Sequence, residues 1–130
     1  MATLLDYVAT YPNDRILYRA SNMVLAACAD AGFHNKTKGH SRTGARIFLA
    51  KDDPYPQWNG AILTIAQIIK FVMTSASEAE LGALFITAQA LVFIHNTLEE
   101  MGWPQKRTHI QTDNSAAAGV VNNTIVPRKL

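Results

Sequence analysis

The apolar positions Leu81, Leu84, Ala88, Leu91, Val92, His95 and Leu98 recur at the three- and four-residue spacing of one helix face, in a stretch without charge from Leu81 to Leu98. Ser75 or Ser77 can cap the start of this helix, with Glu78 or Glu80 completing a capping box. Gly102 and Pro104 supply its stop. This is the most strongly marked element of the chain, and the segments on either side of it decide the fold.

Upstream, Thr3 to Thr10 reads as a short helical lead closed by Tyr11-Pro12-Asn13-Asp14, and an apolar strand follows from about Asn22 to Asp30. Arg42 to Ala50 is a second strand, Asp52-Asp53-Pro54-Tyr55-Pro56 a turn, and Asn59 to Ala66 a third strand launched by Asn59-Gly60. Strands joined in this way form an antiparallel meander. Gln67 to Thr74 is apolar and β-branched enough either to extend the sheet or to run as a buried connection, and the sequence leaves both readings open. Downstream, Thr108 to Thr112 is a short strand, and Asn114 or Ser115 can cap a second helix of small residues that reaches about Asn123. The order βββαβα describes an α/β domain whose fourth strand pairs parallel to the first through a right-handed crossover.

A length of 130 residues with 48% hydrophobic and 17% charged content supports one domain, 1–130, with its own core. The formal net charge of +2 is too small to announce nucleic-acid binding, so the placement of charge matters more than its sum. The single cysteine, Cys28, follows Val24-Leu25-Ala26-Ala27 and is expected to behave as a small buried hydrophobe. One cysteine excludes an intrachain disulfide framework and a cysteine-based zinc site. Residues 1–20 lack the cationic start and apolar core of a secretory signal. Thr87, Gln89, His95, Asn96 and Thr97 interrupt the uncharged stretch, so no membrane partner is expected and the location is cytoplasmic or nuclear.

Three acidic residues stand where a crossover unit gathers ligands. Asp30 ends the first strand, Glu80 lies in the first turn of the long helix, and Asp113 sits between the short strand and the last helix. Three carboxylates brought close together repel one another, and burial raises their pKa values unless cations neutralise them. An all-oxygen ligand set suits Mg²⁺ better than zinc, and two such ions about 4 Å apart serve in-line displacement at a phosphodiester. Each acid also has a purely structural reading: Glu80 as a favourable charge at a helix N-terminus, Asp113 as a helix cap, Asp30 as a turn residue before Gly32. Glu78 competes with Glu80 for the ligand role, and the residues by themselves leave that choice open.

Ala29-Asp30-Ala31-Gly32, Ser77-Glu78-Ala79-Glu80-Leu81-Gly82-Ala83-Leu84 and Gln111-Thr112-Asp113-Asn114 fall in the order and at the spacings of ribonuclease H enzymes. From Leu4 to Lys129 the chain most resembles the ribonuclease H domain in polyproteins of copia-type retrotransposons. The resemblance implies a ribonuclease H-like fold with a mixed sheet, three strands antiparallel, then a crossover helix, a parallel fourth strand and a second helix. It implies an endonuclease that cuts the RNA strand of RNA–DNA hybrids, with Asp30, Glu80 and Asp113 as catalytic metal ligands for two Mg²⁺, replaceable by Mn²⁺. Leu4-Leu5-Asp6-Tyr7 resembles the connection to a preceding polymerase domain, so 1–20 is expected to be its remnant or, equally, a helix packed on the domain's side. Related domains continue past a Val-Asn-Asn segment and a Pro-Lys/Arg word, here Pro127-Arg128-Lys129, into a strand and helix that add an acidic ligand and a histidine. The expectation is therefore a domain without that last strand and helix, weakly active alone, with self-association or a neighbouring polyprotein domain covering the open side. The alternative function is a non-catalytic, truncated or repurposed module that binds nucleic acid or a partner protein.

Lys36, Lys38, Arg42, Arg46 and Lys51 cluster with His34 and His40 and without an acid, next to the first acidic word. Lys36, Lys38, Arg42 and Arg46, with Asn114, are the candidate substrate contacts, the cations holding phosphates; a solvated hairpin is the competing reading. Ser41-Arg42-Thr43-Gly44 matches a Ser-Arg-x-Gly word of the copia-type domains. The histidines show no metal-binding spacing, His95 is expected in the core, and His109 is expected to pack although it alternates with Asp113. Trp58 and Trp103 are expected to anchor loops from beneath.

Overall fold

A computed structural model describes residues 2–33, 37–54 and 56–122. In chain order the elements are α1 (Ala2–Thr10), β1 (Val24–Gly32), a short 3₁₀ turn (Thr37–Gly39), β2 (Arg42–Ala50), β3 (Ala61–Ile68), α2 (Ala76–Glu100), β4 (His109–Gln111) and α3 (Ser115–Val121). The molecule is α/β, with one mixed open sheet in the order β3-β2-β1-β4. β1 pairs antiparallel with β2 from Val24↔Ala50 to Gly32↔Arg42, β2 pairs antiparallel with β3, and β4 pairs parallel to β1 from Ala26↔His109 to Cys28↔Gln111. The parallel pair is the crossover expected from the strand–helix–strand order. Between Ile47 and Phe48 the β2–β3 register shifts, because Ile47 pairs with Leu63 and Phe48 with Ala61, leaving Ile62 as a bulge.

The alternation of β1 and β2 divides the sheet into two faces. Leu25, Ala27, Ala29, Ala45 and Ile47 point to the α2 side, where they meet Leu84, Leu91, Leu98 and Ala117. Each large side chain buried there contributes roughly 1.5–3 kcal/mol. Ala26, Phe48 and Ala50 form a smaller cluster on the opposite face, joined by half-buried Cys28. The buried stripe of α2 runs Ala79, Glu80, Ala83, Leu84, Thr87, Leu91 and Leu98. It is rotated from the expected stripe: Val92 is exposed, and Thr87 takes an inner position because its hydroxyl is satisfied by the Ala83 carbonyl at 2.7 Å. His95 is not in the core; it lies at the helix margin, 3.3 Å from Glu99 one turn on. By length and composition α2 qualifies as a membrane span, but here its inner stripe packs on the sheet.

Local chemistry fixes the ends of α2. Ser75 is the N-cap and accepts from the Glu78 N–H at 3.1 Å. At the other end the N–H of Gly102 bonds to Glu99 O and that of Trp103 to Leu98 O, both at 3.0 Å, with Gly102 at φ +91°, the Schellman arrangement that glycine permits. Gln67 and Ile68 extend β3, while Ile69 onward forms the connection: Ile69 is buried and its N–H bonds to Ser41 O. β1 runs two residues past Asp30, β3 begins at Ala61 rather than Asn59, and β4 spans only three residues. The described side chains of α1 are exposed, and Tyr7 donates a hydrogen bond to Asp14 in the following turn.

Candidate metal centre

Asp30, Glu80 and Asp113 each offer a carboxylate oxygen, and these atoms lie within 4.8 Å of one another. Asp30 stands two residues from the end of β1, Glu80 at the fifth residue of α2, just past its first turn, and Asp113 two residues beyond β4. The parallel β1–β4 pair sets the two aspartates at one end of the sheet, and the crossover returns the start of α2 to that end.

The capping roles that competed for these acids are filled by neighbours. Asn114 caps α3, its side-chain oxygen accepting from Ala117 N–H at 2.9 Å, so the Asp113 carboxylate is not used as the cap. At α2 the cap is Ser75, and Glu78 is occupied with the N–H and hydroxyl of Thr74, both at 2.6 Å. Glu80 instead turns inward, buried, with Oε1 accepting from the Ala31 N–H at 3.1 Å and Oε2 at 3.5 Å from the Thr112 hydroxyl. Asp30 Oδ1 accepts from the same Ala31 N–H at 2.8 Å.

Electrostatics distinguish Glu80 from a surface glutamate. Burial pushes its pKa above the usual value, the hydrogen bond from Ala31 opposes that shift, and the charges of Asp30 and Asp113 add to it. A buried carboxylate facing two others is relieved by a cation. The donor set is entirely oxygen and open to solvent on the Asp30 and Asp113 side, the setting in which Mg²⁺ retains waters. Among the described residues no histidine or cysteine joins this group.

The candidate substrate contacts scatter. Lys36 lies outside the described residues, as do His34, Arg128 and Lys129. Lys38 is exposed in the 3₁₀ turn at φ 62°, and Arg42 is exposed at the start of β2. Arg46 is half-buried, its guanidinium 5.3 Å from the centre of the Trp58 ring and donating to Asn59 O at 3.1 Å. Trp58 and Trp103 do not lie beneath loops; both are largely exposed, at 58% and 47%. His109 is exposed on β4 rather than packed.

Two features escaped the sequence reading. Thr112 contributes a hydroxyl to Glu80, and its place beside Asp113 was the available signal. Asn59, read there only as a turn residue, is a hub. Its side chain exchanges two hydrogen bonds with the backbone of Arg19, at 2.8 and 2.9 Å, and donates to Leu49 O at 2.9 Å. Compared with protein-family models, curated proteins and solved structures, the chain matches none.

Proposed function

We propose that this chain is a ribonuclease H-like domain that hydrolyses the RNA strand of RNA–DNA hybrids, of the kind carried by copia-type retrotransposon polyproteins. The observation that supports this reading best is the meeting of Asp30, Glu80 and Asp113 within 4.8 Å at the end of a parallel β1–β4 pair. These three words of sequence are the ones that resemble the family, and they lie 50 and 33 residues apart in the chain (80 − 30 and 113 − 80). The sheet order and the crossover helix agree with the same reading.

Asp30, Glu80 and Asp113 would hold Mg²⁺, or Mn²⁺ in its place. Bound there, a pair of such ions supplies activation of a water and stabilisation of the leaving oxygen. The chain's own part is to set the ligands. Ala31 N–H fixes one oxygen of both Asp30 and Glu80, Thr112 steadies the second oxygen of Glu80, and Asn114 secures the helix behind Asp113. In this reading Arg42 and Lys38, both exposed, would meet phosphates. The expected setting is cytoplasmic or nuclear, where such hybrids form.

The test is cleavage of an end-labelled RNA–DNA hybrid with Mg²⁺ or Mn²⁺, against double-stranded RNA and DNA controls. Cutting confined to the RNA strand of the hybrid, lost with EDTA and reduced at least about a hundredfold in Asp30→Asn and Asp113→Asn, is the expected result. A chain that binds the hybrid but does not cut it with either metal is instead a non-catalytic binding module.

A further inference from the structure

We propose that a cleft on the sheet face opposite α2, lined by Arg15, Arg19, Arg46 and Trp58, binds single-stranded nucleic acid, with phosphates on the guanidinium groups and a base on the indole. The proposal goes beyond the hybrid-cleaving reading above, adding a separate single-strand site that shares Arg46 and Trp58 with a hollow lined by Asp30.

The cleft is built by the fold. It encloses about 300 Å³ between the extended segment after α1 and the residues that lead into β3. Asn59 joins the two: its side chain clamps the Arg19 backbone through two hydrogen bonds, and its carbonyl receives the Arg46 guanidinium at 3.1 Å. Tyr18 pins the same extended segment to the sheet, donating to Ala61 O at 2.8 Å with its ring against Gly60. A methyl group at Gly60 would stand 2.6 Å from that ring, so the close approach requires glycine. Trp58 is oriented by donating its indole N–H to Gln111 Oε1 at 3.1 Å.

Charge and shape select the ligand. Arg15, Arg19 and Arg46 line the cleft with no carboxylate among its residues. The two ion pairs among the described residues, His95–Glu99 and Lys106–Asp52, involve none of them, and the adjacent Asp14 accepts a hydrogen bond from Tyr7. Arg46 takes one face of the indole, yet the ring is 58% exposed, which leaves surface for a base. A base stacks on the indole only if it is unpaired, so the ring favours a single strand over a duplex. Arg46 and Trp58 also line an adjoining hollow of about 320 Å³ that contains Asp30, so a strand in the cleft leads to the carboxylates.

The experiment measures binding of a fluorescent twelve-residue oligonucleotide by anisotropy in EDTA, where hydrolysis plays no part. Arg15→Gln/Arg19→Gln is expected to weaken binding about tenfold and to lower the slope of log affinity against log salt by about 1.4, at roughly 0.7 for each lost phosphate contact. Trp58→Ala is expected to weaken binding about tenfold while Trp58→Phe retains most of it, because stacking tolerates any aromatic ring. Arg107→Gln, outside the cleft, is the control and leaves affinity unchanged. Circular dichroism establishes that each variant is folded. Wild-type affinity in the folded double variant overturns the proposal, and so does equal competition by a duplex of the same length or by anionic vesicles. A chain that binds in EDTA but never cuts hybrid sinks the catalytic reading and leaves the cleft standing. One that cuts hybrid while ignoring the arginine changes does the reverse.

Discussion

Asp30 and Glu80 accept hydrogen bonds from one shared donor, the backbone N–H of Ala31, at 2.8 and 3.1 Å. A donor shared by two carboxylates, with only the long Thr112 contact to Glu80 besides, leaves much of their mutual repulsion uncompensated, and the Asp113 charge adds to it. Without a cation the pair is a source of repulsion in the fold, which is what the proposed metal would relieve.

The first prediction follows from the raised pKa of Glu80. A carboxyl whose folded pKa lies above its ordinary value of 4.5 makes the folded state bind more protons than the unfolded state between those two values. Its contribution therefore favours the fold at low pH and is lost as pH rises through the raised value. In EDTA at pH 7, Glu80→Gln is expected to melt above the wild type, and the gap should close as pH falls towards 4.5. Mg²⁺ at a hundred times its dissociation constant should stabilise the wild type by about 2.7 kcal/mol and the variant much less. Thermal unfolding followed by circular dichroism reads both effects, and a Glu80→Gln protein less stable than wild type in EDTA at pH 7 contradicts the account.

Adjacent residues at the α3 junction should separate stability from activity. Asn114→Ala removes the cap on Ala117 and is expected to cost about 1 kcal/mol in urea unfolding. Asp113→Asn leaves that cap intact and should change stability little while abolishing hybrid cleavage. Equal stability losses in the two variants would mean that Asp113 secures the helix as much as Asn114 does.

How much of this was legible in the sequence depends on the range of the interaction. Ser75, Asn114 and Gly102 act within three or four residues, and the capping and stop signals found them. The meander and the parallel return of β4 follow from periodicity and connection rules, which survive errors of two residues at strand ends, whereas the choice of the three acids, Glu80 over Glu78 above all, came from the family resemblance. The rotation of the α2 stripe was hidden because a threonine whose hydroxyl bonds back to its own helix behaves as an apolar residue. Trp58 was misplaced because its partners, Arg46 and Gln111, lie on two other strands.

The Asn59 hub is the clearest long-range case, since its amide reaches Arg19, 40 residues away in the chain. Asn59→Ala deletes four side-chain hydrogen bonds together, two with Arg19 and one each with Leu49 and Gly60, and at roughly 0.5–1 kcal/mol net apiece the expected loss is about 2–4 kcal/mol. Chemical denaturation measures it. A loss under about 0.5 kcal/mol would place the segment around Arg19 free of the sheet in solution.

Cys28 gives the last prediction. It was expected to be a buried hydrophobe, but it is half-buried and its thiol donates to Gln111 Oε1 at 3.2 Å, the same oxygen that receives the Trp58 indole. Burial raises the thiol pKa above 9.0, and the nearby Arg46 charge opposes that shift. The thiolate, not the thiol, reacts with iodoacetamide, so alkylation at pH 8 should be slower than for a free cysteine and its rate should still be climbing at pH 9. Arg46→Gln removes the opposing charge and should slow alkylation further, whereas Lys106→Gln, on a cation paired elsewhere with Asp52, should not. Mass spectrometry of quenched time points gives the rates. An inflection below 9.0, or a faster reaction in Arg46→Gln, would show that the thiol is governed by something other than burial beside Arg46.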